Sequence, residues 1–188
     1  MIFNSLVRSV VIVEPENPEN IGFIARLSEN FDFDIRLVRP KFNLEQCRTT
    51  ANNAQDKLRE TKIYDSVKDA IKDLDFIIGT KPGKGVNSKD FEFRKNTSIM
   101  LGRESSGLTK DELSMCDAVV HIEADYDSLN LSHAASVLMY EAFSAEEKSV
   151  DNSRLDYLEE EFGGNLRRLI GRSSPTEEEI DGLIGELN

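Results

Sequence analysis

Residues 10–38 read VVIVEPENPENIGFIARLSENFDFDIRLV, and this stretch decides the fold class. It begins with the β-branched run Val10–Val13 and ends with a second strand pattern, Ile35–Val38. Between the two strands, apolar or small residues recur at helical spacing: Ile21, Ile24, Ala25 and Ser28. The stretch therefore predicts a β-α-β unit.

The same alternation continues to about residue 143. Further strand patterns are Phe76–Ile78, which runs into Gly79-Thr80, and then Ser98–Leu101 and Ala118–Ile122. Helical patterns occupy residues 66–74, residues 109–115, where Thr109 and Glu112 form a capping box, and residues 131–143. Strands that alternate with helices predict an α/β fold with a mostly parallel sheet flanked by helices on both faces.

The composition changes in the last quarter of the chain. Residues 144–153 are polar and indicate a linker. Beyond them, one amphipathic helical stripe is formed by Leu155, Leu158, Phe162, Leu166 and Leu169. We therefore predict a main domain over residues 1–145 and a helical C-terminal extension over residues 146–188.

The composition is that of a globular protein, with 188 residues of which 39% are hydrophobic and 31% charged. No apolar run approaches the roughly 18 residues that a membrane span needs, and the N-terminal residues lead directly into a strand pattern. The two cysteines, Cys47 and Cys116, lack metal-ligand spacing. We expect a cytoplasmic protein with reduced thiols, no membrane partner and no metal ion.

The formal net charge of −12 argues against RNA binding when taken as a whole, because RNA affinity depends on Lys and Arg contacts with phosphates. Residues 1–145 carry 18 basic and 23 acidic side chains, however, whereas residues 146–188 carry 5 and 12. Most of the acidic excess therefore lies in the C-terminal part. A local basic patch is compatible with this balance, and we expect one around Arg26, Lys81, Lys84 and Arg103.

Two glycine-containing loops follow apolar strands: GTKPGKG at residues 79–85 and GRESSG at residues 102–107. Loops at the carboxyl ends of parallel strands commonly hold ligands. The first loop is one residue too short for a P-loop and has Gly85 where that motif needs Ser or Thr. Taken alone, these glycines are more often turn residues, so the loops by themselves do not identify a nucleotide-binding protein.

Three motifs in a fixed order carry a more specific signal. They are NPENIGFIAR at residues 17–26, MLGRESSGLT at residues 100–109 and DSLNLSHA at residues 127–134. Together they resemble the SpoU/TrmH family of the SPOUT superfamily, and the resemblance covers about residues 9–143. Within that family the chain is most similar to the TrmJ type of tRNA methyltransferase.

The resemblance implies a SPOUT methyltransferase domain over residues 1–145, with a deep trefoil knot near its C-terminal end that binds S-adenosyl-L-methionine (SAM). It implies 2′-O-methylation of an RNA ribose, with a tRNA anticodon loop as the first expectation. Methylation of rRNA, a non-catalytic SPOUT-fold RNA-binding protein and a general α/β cofactor-binding enzyme are the alternatives. Family members are homodimers with composite sites, and the first motif, with Ile21, Ile24 and Leu27, is expected at the interface.

The resemblance also implies site residues. The cofactor would be held largely by backbone groups of Thr80, Lys81, Gly102, Ile122, Ser128, Leu129 and Leu131. Arg26 would act on the ribose 2′-hydroxyl, with Asn20, Glu104, Ser128 and Asn130 beside it. Since arginine stays protonated, we expect Arg26 to orient the hydroxyl and stabilise the developing alkoxide, and the proton acceptor stays open.

The roles of one glutamate and of the two histidines need separate predictions. Glu104 either orients Arg26 or braces its own loop, and the sequence favours neither role. His121 and His133 are expected to be packing residues without a catalytic role.

Overall fold

The computed structural model describes residues 8–126 and 129–145, and its centre is a seven-stranded sheet. The strands are β1 Ser9–Val13, β2 Asp34–Val38, β3 Lys62–Tyr64, β4 Phe76–Thr80, β5 Val86–Asn87, β6 Thr97–Leu101 and β7 Ala118–His121. They lie in the order β3-β2-β1-β6-β4-β7-β5, and every neighbouring pair is parallel. The predicted α/β class with its parallel sheet is confirmed.

Helices cover both faces of this sheet. They are α1 Pro18–Phe31, α2 Arg48–Ala51, α3 Gln55–Glu60, α4 Val67–Ile71, α5 Lys110–Ser114 and α6 Leu131–Ser144, with a 3-10 helix at Leu44–Cys47. Helix α1 begins at Pro18, three residues before Ile21, because the Asn17 side chain accepts a hydrogen bond from the Glu19 N–H and Pro18 occupies the first helical turn. None of the helices in the described part is both long and apolar enough to cross a bilayer.

Strand β1 shows why the sheet is buried on both sides. All five of its residues are buried, and alternate side chains enter different cores. Val10 and Ile12 pack with residues of α1 and α6, whereas Val11 and Val13 pack with residues of α4. Burial of one such side chain contributes roughly 1.5–3 kcal/mol, so this continuous apolar strand fixes the centre of the sheet.

Helix α1 buries the apolar face that its periodicity predicts. Ile21 and Ile24 are fully buried within the chain's own core. Because these two side chains are already covered, the prediction that they form part of a dimer interface is wrong. Leu27 is partly buried, and Phe23 on the outer face of the helix is 42% exposed.

On the opposite face, a buried arginine attaches α4 to the sheet. Arg36 of β2 is almost fully buried, and its guanidinium donates to the Ala70 carbonyl at 2.8 Å and to both carboxylate oxygens of Asp73. These hydrogen bonds lower the pKa of Asp73. The ion pair therefore holds the C-terminal end of α4 against β2.

The sequence patterns missed the short elements. They are the 3-10 helix, α2, α3, β3 and β5, each of six residues or fewer, and none of them has a continuous apolar run or a clear helical stripe. The trefoil knot stays a prediction of the family resemblance. The predicted extension at residues 146–188 lies outside the described residues, and so does Ser128.

Candidate active site

The carboxyl ends of β4, β6 and β7 open into a cleft of about 950 Å³. Its walls come from the loops after these three strands and from the N-terminal half of α6. Six of the residues predicted to hold the cofactor line it: Thr80, Lys81, Gly102, Ile122, Leu129 and Leu131. Glu104 and Asn130 line the same cleft. Parallel strand ends thus bring together residues that lie up to 51 positions apart in the chain.

The loop after β6, residues 102–108, folds back on itself. The Gly107 N–H donates to the Arg103 carbonyl at 2.8 Å, and Gly107 has a φ of +67°. A Cβ atom on Gly102 would lie 2.1 Å from the Gly107 carbonyl carbon, so only glycine fits there. We call these residues the β6 loop; their backbone forms one wall of the cleft.

The loop after β4 has a different construction. Its turn, residues 81–84, is closed by a 3.1 Å hydrogen bond from the Lys84 N–H to the Lys81 carbonyl. Pro82 and Gly83, with a φ of +61°, occupy the two central positions, as in a type II turn. Lys84 is exposed and Lys81 is half-buried at the cleft. Neither lysine forms an ion pair among the residues that the structure describes. We call this segment the lysine turn.

Glu104 braces the segment before α1. Its carboxylate accepts hydrogen bonds from the Glu16 N–H at 2.8 Å, the Asn17 N–H at 3.2 Å and the Asn20 side-chain amide at 3.0 Å. Among the described residues, no hydrogen bond or ion pair joins Glu104 and Arg26. Of the two roles open for Glu104, its contacts are those of a brace, and the nearly buried Asn20 serves as one of its partners.

Asn130 has a comparable structural task at the start of α6. Its side-chain oxygen accepts hydrogen bonds from the backbone N–H and the hydroxyl of Ser132, both at 2.8 Å. These bonds cap α6, whose first residue Leu131 faces the cleft. Asn130 therefore fixes the position of two cleft-lining residues, itself and Leu131.

Arg26 lies apart from this cleft. It is exposed on α1, and within residues 8–126 and 129–145 it makes no hydrogen bond or ion pair. It is not among the residues that line the cleft of its own chain, and neither is Asn20. The structure thus brings Glu104 and Asn130 to the cleft and leaves Arg26 outside it.

Arg103 is not the free cation that the charge pattern indicates. Its guanidinium binds both oxygens of Glu112 at 3.0 and 2.9 Å, and its Nε donates to Glu14 at 3.0 Å. The side chain is only 15% exposed. The prediction that Arg103 belongs to an RNA-facing basic patch is therefore wrong, because its charge is neutralised by two carboxylates. Arg26 and the two lysines of the lysine turn keep that role as a prediction.

The carboxylates around Arg103 are strongly perturbed. Hydrogen bonds from Arg103 and then Arg39 lower the pKa of Glu14 from 4.5 to about 2. Burial opposes ionisation of Glu112, but its bonds with Arg103 and the Thr109 N–H lower the pKa overall. The pKa of Arg103 is raised, chiefly by its hydrogen bond with Glu112. All three groups are therefore charged at neutral pH.

Sequence reasoning missed several residues of this region. Glu14 carries no motif signal, because its partner Arg103 is 89 positions away. His121, expected to pack, lines the cleft, and His133 is exposed on α6, so it is not a packing residue. Tyr126 lies at the cleft and is 77% exposed. Among the described residues, no group of three or more His, Cys, Asp or Glu side chains could hold a metal ion.

A parallel sheet with a large cleft at its carboxyl edge is the arrangement in which α/β proteins commonly bind small molecules. The family is given by a model described as the SpoU rRNA Methylase family, which matches residues 8–140, and the chain belongs to this family. Membership confirms the resemblance and the class of enzyme that it implies, an RNA methyltransferase.

Individual relatives agree with this assignment. The tRNA (cytidine-2′-O-)-methyltransferase TrmJ of Methanocaldococcus jannaschii is 34% identical over 166 residues, which cover 79% of this chain and 71% of the relative. A probable methylase family protein from Haemophilus influenzae superposes with a TM-score of 0.71 at 25% identity, over 97% of this chain and 95% of that one. The SpoU methyltransferase AviRb from Streptomyces viridochromogenes, solved with AdoMet, shares the fold, with a TM-score of 0.62 at 20% identity over 74% of this chain and 59% of that one.

Proposed function

We propose that the protein methylates the ribose 2′-hydroxyl of a tRNA nucleotide and takes the methyl group from SAM. The observation that carries this proposal is the convergence of six predicted cofactor residues on one cleft in a chain of the SpoU family. The tRNA substrate is supported by the TrmJ relative, which is named for cytidine 2′-O-methylation. Methylation in the anticodon loop and a cytoplasmic location are parts of the same proposal.

The cleft suits SAM in size and chemistry. Its volume of about 950 Å³ is near the upper end of the roughly 300–1,000 Å³ usual for small-molecule sites. Apolar side chains such as Leu101, Leu108 and Leu138 form part of its lining, while backbone groups of the β6 loop would supply polar contacts to the cofactor. AviRb, which shares the fold, binds AdoMet. When bound, SAM supplies a methyl group on a positively charged sulfur.

The position of Arg26 supports a homodimer in which each site is composite. Arg26 lies outside the cleft of its own chain, so a second copy has to bring its Arg26 to this cleft. The surface for that contact is an apolar face on α1 and α6 that includes Phe23, Tyr140 and Phe143, which are 42, 56 and 46% exposed. Phe31 packs against Tyr140 and Phe143 and makes the face continuous. An exposed apolar patch of this kind fits the interface of a twofold dimer.

In this dimer Arg26 would orient the 2′-hydroxyl and stabilise the developing alkoxide together with an RNA phosphate. A guanidinium is a poor proton acceptor, but an exposed one without an ion pair is free to bind anionic oxygen. Asn17, Asn20 and Glu104 would set the position of the start of α1, and thereby of Arg26 two turns later. The lysine turn would contact phosphates at the mouth of the cleft.

Isothermal titration with SAM, followed by methyl transfer to unmodified tRNA, tests the proposal. We expect SAM to bind in the micromolar range and a 2′-O-methyl group to appear without added metal ion. Binding of SAM without transfer to tRNA but with transfer to rRNA would select the rRNA alternative. SAM binding with no transfer to either RNA would select the non-catalytic alternative.

A further inference from the structure

One guanidinium, that of Arg103, joins three parts of the cleft edge. It binds Glu112 of α5 through two hydrogen bonds and Glu14 at the end of β1 through a third. A fourth hydrogen bond, 3.2 Å long, runs from Nη1 to the Gly107 carbonyl within the β6 loop itself. Since β1 and β6 are neighbours in the sheet, Arg103 ties the loop to the adjacent strand and to the next helix at once.

The Arg103 side chain closes the β6 loop a second time. Its central residues 104–106 are exposed, and the nearest apolar anchor is Leu108 at the end of the loop. The backbone bond from Gly107 to the Arg103 carbonyl is the first closure of the loop, and the bond from the Arg103 side chain to the Gly107 carbonyl is the second. Without the guanidinium, the loop would keep one internal backbone hydrogen bond, the tight contact of Gly102 with Gly107, and the bonds of the Glu104 and Ser105 side chains to Glu16. It would lose its second internal closure and its ties to Glu14 and α5.

Both carboxylates are themselves fixed, which makes the arrangement rigid. Glu112 accepts the Thr109 N–H at 2.8 Å as part of the capping box of α5. Glu14 is bound by Arg39 at 2.7 Å and approached by Lys41 at 3.5 Å. A planar fork is needed to meet two carboxylates and a carbonyl in different directions, so lysine cannot replace Arg103.

We propose that Arg103 is a positioning residue for the cofactor, which holds the β6 loop in the shape that lets its backbone bind SAM. The proposal rests on the assignment of SAM to this cleft. Arg103 itself acts through the loop, because its guanidinium is occupied by protein groups. Its expected signature is a change in SAM affinity that exceeds any change in RNA affinity.

The test compares Arg103→Lys and Glu112→Gln with Asp73→Asn in the full-length protein. Glu112→Gln is the milder change, since glutamine still serves in a capping box but lacks the charge. Asp73→Asn is the matched control, because it weakens another ion pair of a buried arginine, Arg36–Asp73, whose residues do not line the cleft. For each protein we would measure the Kd for SAM by titration, the KM for tRNA and the unfolding midpoint.

We expect Arg103→Lys to raise the SAM Kd by about tenfold or more and Glu112→Gln by a smaller factor, with the KM for tRNA within twofold of wild type. Asp73→Asn should lower the unfolding midpoint but leave the SAM Kd within twofold. Equal losses of stability with an unchanged SAM Kd in both Arg103→Lys and Glu112→Gln would overturn the inference. A wild-type protein that binds no SAM would overturn the proposed function and this inference together.

Discussion

The β6 loop and the lysine turn lie at the same cleft but are built in opposite ways. In the β6 loop, side chains of Arg103, Glu104 and Ser105 all bond to residues before α1. In the lysine turn, one backbone hydrogen bond closes the turn, and its two cations have no ion-pair partner among the described residues. A braced loop suits a ligand of fixed shape, whereas free cations suit a flexible phosphate chain. The comparison therefore favours the backbone of the β6 loop as part of the predicted cofactor site and the lysine side chains of the lysine turn as a predicted RNA contact.

Like the two lysines of the lysine turn, Arg26 has no ion-pair partner among the described residues. Its removal should have the largest effect on the rate of methyl transfer. We expect Arg26→Ala to cut the rate of methyl transfer by about 10² to 10³, or roughly 3 to 4 kcal/mol, because a transition-state contact is lost. The SAM Kd should stay almost unchanged. Arg26→Lys should recover little, since an ammonium group lacks the planar fork. Single-turnover rates with saturating SAM and tRNA measure the effect.

The control for Arg26 is Arg59→Ala, which removes an exposed arginine that pairs with Asp56 on α3. It should keep the wild-type rate. Mixing Arg26→Ala subunits with subunits crippled in the β6 loop should restore one working site per heterodimer. If Arg26→Ala loses SAM binding and keeps chemistry, Arg26 belongs to the cofactor site and the contrast between the loops fails.

A glycine in each loop sharpens the comparison. Gly102→Ala should weaken SAM binding by at least tenfold, because its Cβ would lie 2.1 Å from backbone of the β6 loop. Gly83→Ala meets no atom within 4 Å and is strained only by its φ of +61°. We expect Gly83→Ala to cost about 1 kcal/mol of stability and to leave the SAM Kd within twofold. Titration with SAM and thermal unfolding measure the two effects. Equal changes in the SAM Kd for the two variants would contradict the difference proposed between the loops.

How much of this could be read from the sequence differs between local and distant features. The β-α-β opening was predictable because Val10–Val13 and the helical spacing of Ile21 and Ile24 are long enough to show a period. The cleft followed from the family resemblance together with the rule that parallel strand ends share one edge. The pairing of Arg103 with Glu14 was not predictable, because nothing local marks a contact across 89 positions.

The same limit explains the misassigned interface. Helical periodicity identified Ile21 and Ile24 as one apolar face, but it cannot say which partner covers that face. The structure covers it with the chain's own sheet and α6 and leaves Phe23 outside. Apolar residues off the main stripe, such as Phe23 and Tyr140, are therefore the better sequence signal for a surface that a second chain would cover.

Removal of both lysines of the lysine turn should have a moderate effect that depends on salt. We expect the double variant Lys81→Ala/Lys84→Ala to weaken tRNA binding about tenfold near physiological ionic strength, because two phosphate contacts are lost. The dependence of affinity on salt concentration should become shallower, and the SAM Kd should not change. The matched control is Lys68→Ala/Lys72→Ala, which removes two exposed lysines at α4. Equal weakening by both double variants would show that net charge, rather than the lysine turn, sets RNA affinity.

The smallest expected effect is on stability at acid pH, and it tests the ion pair between Glu14 and Arg103. Because hydrogen bonds from Arg103 and Arg39 lower the pKa of Glu14 from 4.5 to about 2, the folded state binds a proton at Glu14 less readily than the unfolded state. Stability from this group is fully present above pH 4.5 and is lost as the pH falls toward 2. Glu14→Gln lacks the ionisation, so its urea midpoint should lie below that of wild type at pH 6 and approach it as the pH falls. Glu29→Gln, at an exposed position on α1, provides the comparison. A gap between wild type and Glu14→Gln that stays constant from pH 6 to 2 would mean that the Arg103 contact does not hold the β6 loop through charge.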